Sequence, residues 1–156
     1  MVNGIEFISG GVELLEDVRP LWVKLMEHHR ERAVNFKEWY SDLTFEKRVR
    51  KFTREGVRLR IVLARDAATG VHAGYCVSTI HDEAGELDSL FIEEAYRRRG
   101  IGGELVKMSV AWLGEGGVGS KIITVAEGNE EAIGFYEKFG FKKRLTVLME
   151  ATEPRK

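Results

Sequence analysis

Leu14, Val18, Leu21, Trp22 and Leu25 recur at helical spacing with charged residues between them, so one face of a long helix is apolar. Pro20 inside this pattern predicts a kink, or a helix that effectively starts there. Ahead of it, residues 5–9 alternate weakly as a short strand, and Gly10-Gly11 breaks the chain. The periodicity fades over residues 31–42, where Phe36, Trp39 and Tyr40 supply aromatic bulk. Thr44 is then an N-cap for a second helix with Phe45, Val49 and Phe52 on its apolar face, ending at Gly56.

Strand character takes over in the middle of the chain. Residues 58–65 (RLRIVLAR) and 71–80 (VHAGYCVSTI) flank the turn-like DAATG and predict an antiparallel hairpin. Residues 86–92 predict a third strand, followed by a glycine turn and a helix with Ile101, Leu105, Met108 and Trp112 on one face. Residues 121–126 predict a buried strand, residues 129–139 a helix ended by Gly140, and residues 141–150 a closing strand. The order is strand, two helices, three strands, helix, strand, helix, strand. It predicts one mixed α/β domain over residues 1–156, with helices on both faces of a single sheet.

Composition narrows the function. Lys and Arg number 24 against 25 Asp and Glu, a net charge of -1, which argues against a nucleic-acid partner. No apolar run is long enough to span a bilayer and the N-terminus lacks a signal-peptide pattern, so no membrane partner is expected. Cys76 is the single cysteine, in a strand-like apolar run. It reads as a small core residue in a reducing cytoplasm. His28 and His29 are adjacent and point in different directions on a helix, so no metal site is expected. They belong to the surface or to an acceptor pocket, and Phe36, Trp39 and Tyr40 could wall that pocket as readily as pack in the core.

The segment AYRRRGIGGEL, residues 95–105, carries the chemistry. A strand entering a glycine turn and then a helix presents unpaired backbone amides at the positive end of the helix dipole, where an anion is favoured. Gly100, Gly102 and Gly103 allow close approach of that backbone to phosphate oxygens. The dinucleotide pattern G-x-G-x-x-G fails, because Leu105 stands at its third glycine. GEGGVGSK, residues 114–121, nearly spells a P-loop, but Ser120 and Lys121 are in the wrong order and it runs from helix to strand.

What survives is Arg97-x-x-Gly100-x-Gly102, followed by Asn129-Glu-Glu-Ala132-Ile133-Gly-Phe135-Tyr136-Glu-Lys-Phe139-Gly140-Phe141. Together these resemble the GNAT family of N-acetyltransferases, strongly over residues 59–149. The resemblance implies a mostly antiparallel mixed sheet that splays at an acyl-CoA site. It implies that the backbone of Leu90, Phe91 and Ile92 bonds the pantetheine of acetyl-CoA. The loop of Arg97, Arg98, Arg99, Gly100, Ile101, Gly102 and Gly103 would hold the pyrophosphate, chiefly through backbone amides. Asn129 and Phe135 would complete the cofactor contacts, although Asn129 also reads as an ordinary helix N-cap.

Acetyl transfer to an amine needs a proton taken from the incoming ammonium and one given to the departing thiolate. Tyr136 matches the family's general acid. Asp88 is the favoured base and Glu86 the second, since strand alternation sets both on one face; an ordered water could also serve. The implied acceptor is a primary amine of a small molecule or peptide, and homodimers are common in the family. A non-catalytic acyl-CoA-binding or regulatory domain of the same fold is the alternative.

Overall fold

The computed structural model describes residues 2–151. Five strands form one sheet in chain order: β1 (Ile5–Gly10), β2 (Val57–Asp66), β3 (His72–His81), β4 (Ala84–Ile92) and β5 (Ser120–Ile123). The first four pair antiparallel as a meander, and β5 joins β4 parallel after a helical crossover. The helices are α1 (Leu15–Arg32), α2 (Lys37–Asp42), α3 (Phe45–Thr53), α4 (Ile101–Glu115) and α5 (Glu131–Glu137).

Strand alternation divides the core into two layers. On one face Val18, Leu21, Trp22 and Leu25 of α1, with Phe45 and Phe52 of α3, pack on Ile61, Leu63, Tyr75, Val77 and Phe91. On the other face Ile101, Leu105, Val106 and Leu113 of α4 pack on Val62, Cys76, Ile80 and Leu87. Phe135 and Tyr136 of α5, with Phe139 just after it, join this second layer. Cys76 is fully buried there, which pushes its thiol up to about 11. Thr44 caps α3 by accepting from the Lys47 amide at 3.2 Å.

Several elements differ from the sequence expectation. The first long helix starts at Leu15, so Pro20 lies inside it, and burial of the α1 face outweighs the one helical hydrogen bond that Pro20 cannot make. Short α2 forms where periodicity had faded. The expected buried strand over 121–126 is instead the four-residue β5, exposed at Ser120, Lys121 and Ile122 because it lies at the sheet edge. The helix expected over 129–139 is the shorter α5. The expected closing strand over 141–150 is absent: the segment has no ladder partner among the described residues. No helix among the described residues is long and apolar enough to cross a membrane.

Candidate active site

The parallel ladder of β4 and β5 runs only from Ala84↔Ser120 to Leu87↔Ile123. Beyond Leu87, residues 89–92 stay paired with β3 and none of residues 88–92 has a β5 partner, so the sheet parts there. A bulge sits at the same place. Val77 pairs with Ser89 and Ser78 with Leu87, which leaves Asp88 as the extra residue of β4. Tyr75 and Ser89 share a hydroxyl hydrogen bond of 2.6 Å, and Asp88 bonds Lys51 of α3. Asp88 and Ser89 are therefore turned to the same α1–α3 face.

The glycine turn follows at the end of β4. Arg98 (φ 63°) and Gly100 (φ 82°) both occupy the left-handed region, and Gly100 begins α4. The Glu104 amide makes the first helical bond, to the Gly100 carbonyl at 3.2 Å. The amides of Ile101, Gly102 and Gly103 thus have no intrahelical acceptor. A Cβ on Gly102 would stand 3.4 Å from the ring of Phe135, and one on Gly103 would stand 3.5 Å from Phe139. Both are ordinary contact distances, so Phe135 and Phe139 pack against this turn without glycine being required there. Arg97 turns back: its Nε donates to the Ile92 carbonyl at 2.9 Å, and its guanidinium lies over Phe91. Arg99 lies over Tyr96. Two of the three arginine side chains are thus engaged by the protein, which leaves the backbone amides as the groups this turn offers to an anion.

The two carboxylates stand in unlike surroundings. Asp88 has a fully buried side chain with both oxygens engaged, one by Lys51 Nζ at 2.7 Å and one by the Thr79 hydroxyl. Glu86 lies 3.4 Å from Lys51, with its side chain 25% exposed. Burial and then the adjacent Asp88 charge raise the Glu86 pKa above the usual carboxylate range, against the pull of Lys51. Tyr136 of α5 packs its ring between Phe135 and Phe141. Burial pushes its phenol up, and among the described residues its hydroxyl has no hydrogen-bond partner.

Asn129 precedes α5, and its side chain reaches His28 of α1. The His28 pKa is lowered by burial, then by Arg32 and Arg97, with the Asn129 bond opposing them. His29 faces elsewhere, against the Tyr40 ring, and burial drives its pKa down to about 4. Among the described residues no cluster of three or more His, Cys, Asp or Glu is placed to hold a metal.

Sequence reasoning missed the parts that arrive from far along the chain. Lys51 and Thr79 hold Asp88. Glu127 accepts from the amides of Val34, Asn35 and Phe36 at 3.1, 2.6 and 2.8 Å, and so fixes the entry to α2. Gly128 (φ 85°) passes so close to α1 that a Cβ would fall 2.1 Å from the Arg32 carbonyl. The left-handed Gly128 was the one visible signal, a glycine just before the predicted helix. A groove of about 340 Å3 between α1, α2 and α3, walled by Trp22, Met26, Tyr40 and Phe45, shares no residue with the parted strands.

Comparison with known proteins agrees with this geometry. A solved protein of Pyrococcus furiosus matches with TM-score 0.75 at 18% identity, over 94% of this chain and 98% of that one. The aminoglycoside N-acetyltransferase AAC(6')-Iy in complex with CoA matches with TM-score 0.67 at 14% identity, over 96% and 95%. Mycothiol acetyltransferase of Corynebacterium efficiens is 37% identical over 60 residues, which is 38% of this chain and only 20% of that relative. The sequence profile of the acetyltransferase (GNAT) family matches residues 19–141. With its parted β4 and β5, its glycine turn and this match over most of its length, the chain belongs to the acetyltransferase (GNAT) family.

Proposed function

We propose that this protein transfers an acetyl group from acetyl-CoA to a primary amine of a small molecule or peptide by direct attack. One observation carries the reading: β4 and β5 separate immediately before a glycine turn whose amides are free. The solved relatives include an aminoglycoside acetyltransferase bound to sisomicin, which supports a small-molecule amine as acceptor (TM-score 0.69, 12% identity, 97% of this chain and 98% of that one).

Acetyl-CoA supplies the thioester, and the protein supplies positions and protons. The backbone of Leu90, Phe91 and Ile92 lines the pantetheine path, which requires the Arg97 side chain to leave the Ile92 carbonyl. The amides of residues 98–103 hold the pyrophosphate, Asn129 reaches the pantetheine, and Phe135 packs against Gly102 of the turn. Glu86 accepts the proton from the incoming ammonium, since its raised pKa makes it a stronger base than a free glutamate. Asp88, neutralised by Lys51 and held by Thr79, is better suited to orient Lys51 and Glu86 than to take a proton. As the new C–N bond forms and the C–S bond breaks, Tyr136 gives its hydroxyl proton to the sulfur. Its elevated pKa keeps that proton in place until then.

Release of free thiol from acetyl-CoA across a panel of amines tests the activity directly. Wild type should turn over at least one amine. Tyr136→Phe should lower turnover at saturating amine about tenfold or more, with acetyl-CoA affinity unchanged. CoA binding by calorimetry without thiol release on any amine would favour the non-catalytic reading.

A further inference from the structure

Two cations of α3 stand toward the parted stretch of β4, and only one of them has an anion. Lys51 reaches Glu86 and Asp88. Arg48 stands one turn before it, at the i, i+3 spacing that puts both on one side of the helix. Phe45, Val49 and Phe52 pack into the α1–α3 layer next to it, which leaves Arg48 half-buried. Yet among the described residues its guanidinium makes no hydrogen bond and no ion pair.

Its neighbours belong to the site. Burial is the main influence on the ionisation of His29, Tyr40 and Tyr75, and the Arg48 charge adds a downward pull on all three. The guanidinium is therefore set among them. The His29 and Tyr40 rings lie 5.2 Å apart. Tyr75 shares its hydroxyl hydrogen bond with Ser89, the residue next to the bulge of β4. Other charges in this region already have partners within the chain. Lys24 pairs with Glu93, Lys51 with Glu86 and Asp88, and Arg97 with the Ile92 carbonyl. Glu127, which also acts on Tyr40, is taken by the amides of residues 34–36. A half-buried guanidinium with its planar fork free fits a carboxylate that comes from outside the chain. Glu86, one helical turn along, attracts an ammonium. The two together are complementary to a zwitterion, whereas a polyamine would set a second ammonium against Arg48.

Given the transferase reading above, on which this rests, we propose that the acceptor is an amine of amino-acid size bearing a carboxylate, with Arg48 holding the carboxylate and Glu86 the ammonium.

Thiol release from acetyl-CoA is compared for glycine with glycinamide, leucine with leucinamide and phenylalanine with phenylalaninamide, beside spermidine. At least one acid should exceed its amide by about tenfold or more in kcat/KM, and exceed spermidine as well. Arg48→Met should bring that ratio to within about threefold of one, and Arg48→Lys should keep part of it. A merely structural role would slow acid and amide alike and leave the ratio in place. Calorimetry on the CoA-bound protein reads the same pairs without turnover. Acid binding that Arg48→Met weakens, with no thiol released from any amine, would uphold the anion site and overturn acetyl transfer instead. The proposal is overturned if no acid is preferred to its amide in either assay, or if the preference survives Arg48→Met. A loss of CoA affinity in Arg48→Met would overturn it too, by assigning the guanidinium to the cofactor phosphates.

Discussion

Glu86 and Asp88 share one lysine, but only the Glu86 side chain is partly exposed, and its contacts to Lys51 are the longer ones, at 3.4 Å against 2.7 Å. Glu86→Gln should therefore remove about 100-fold or more of the turnover. Asp88→Asn tests the pair in the other direction. The Asp88 charge helps to raise the Glu86 pKa, and its loss also leaves Lys51 to act on Glu86 alone. Both changes lower the proton affinity of Glu86. The acidic limb of kcat/KM should move to lower pH in Asp88→Asn, read as the ratio of variant to wild type so that the amine's own ionisation cancels. A limb that stays in place would take Glu86 out of the proton path. Neither arrangement is visible in the sequence beyond the i, i+2 spacing. Lys51 lies 35 residues from Glu86 and 37 from Asp88, so no local pattern announces the pairing.

Elements were legible where a face is buried against a layer. The helical stripe of α1, the apolar face of α3, the β2–β3 hairpin and α4 all follow from periodicity, because two covered sheet faces demand it. β5 and the segment after Gly140 were not, since alternation marks a strand without saying which strand it meets. The glycine turn stands out in the sequence, whereas its contact with Phe135 and Phe139 does not, because alternation and spacing do not say which helix packs on it. Two substitutions at Gly102 separate packing from anion binding. Gly102→Ala adds a methyl at ordinary contact distance from Phe135 and should melt close to wild type and still bind CoA. Gly102→Glu brings a carboxylate to the phosphate position and should lose CoA binding, measured by calorimetry, while the fold persists. Equal affinities for the two variants would mean that the turn holds something other than an anion.

For the whole molecule, acid stability is tied to His29, packed against Tyr40 between α1 and α2. Burial lowers its pKa from 6.5 to about 4 in the folded chain. Between those values the unfolded chain binds a proton that the folded chain does not, so stability falls as pH drops from about 6.5 toward 4. Thermal unfolding across that window should show the decline, and His29→Phe should flatten it. An unchanged slope would assign the acid sensitivity to another group.

The bulge in β4 has a further meaning for how this protein can change. In a regular strand, losing one residue reverses the facing of everything after it. Here Leu87 and Leu90 belong to the α4 layer and Phe91 to the α1–α3 layer, while Asp88 and Ser89 both face the latter. Excising Asp88 would bring Ser89 and Leu87 into consecutive pairing with Val77 and Ser78, and no later side chain would change sides. The facing of β4 therefore does not depend on this residue, and the position bearing the buried carboxylate can be gained or lost without reversing the rest of the strand.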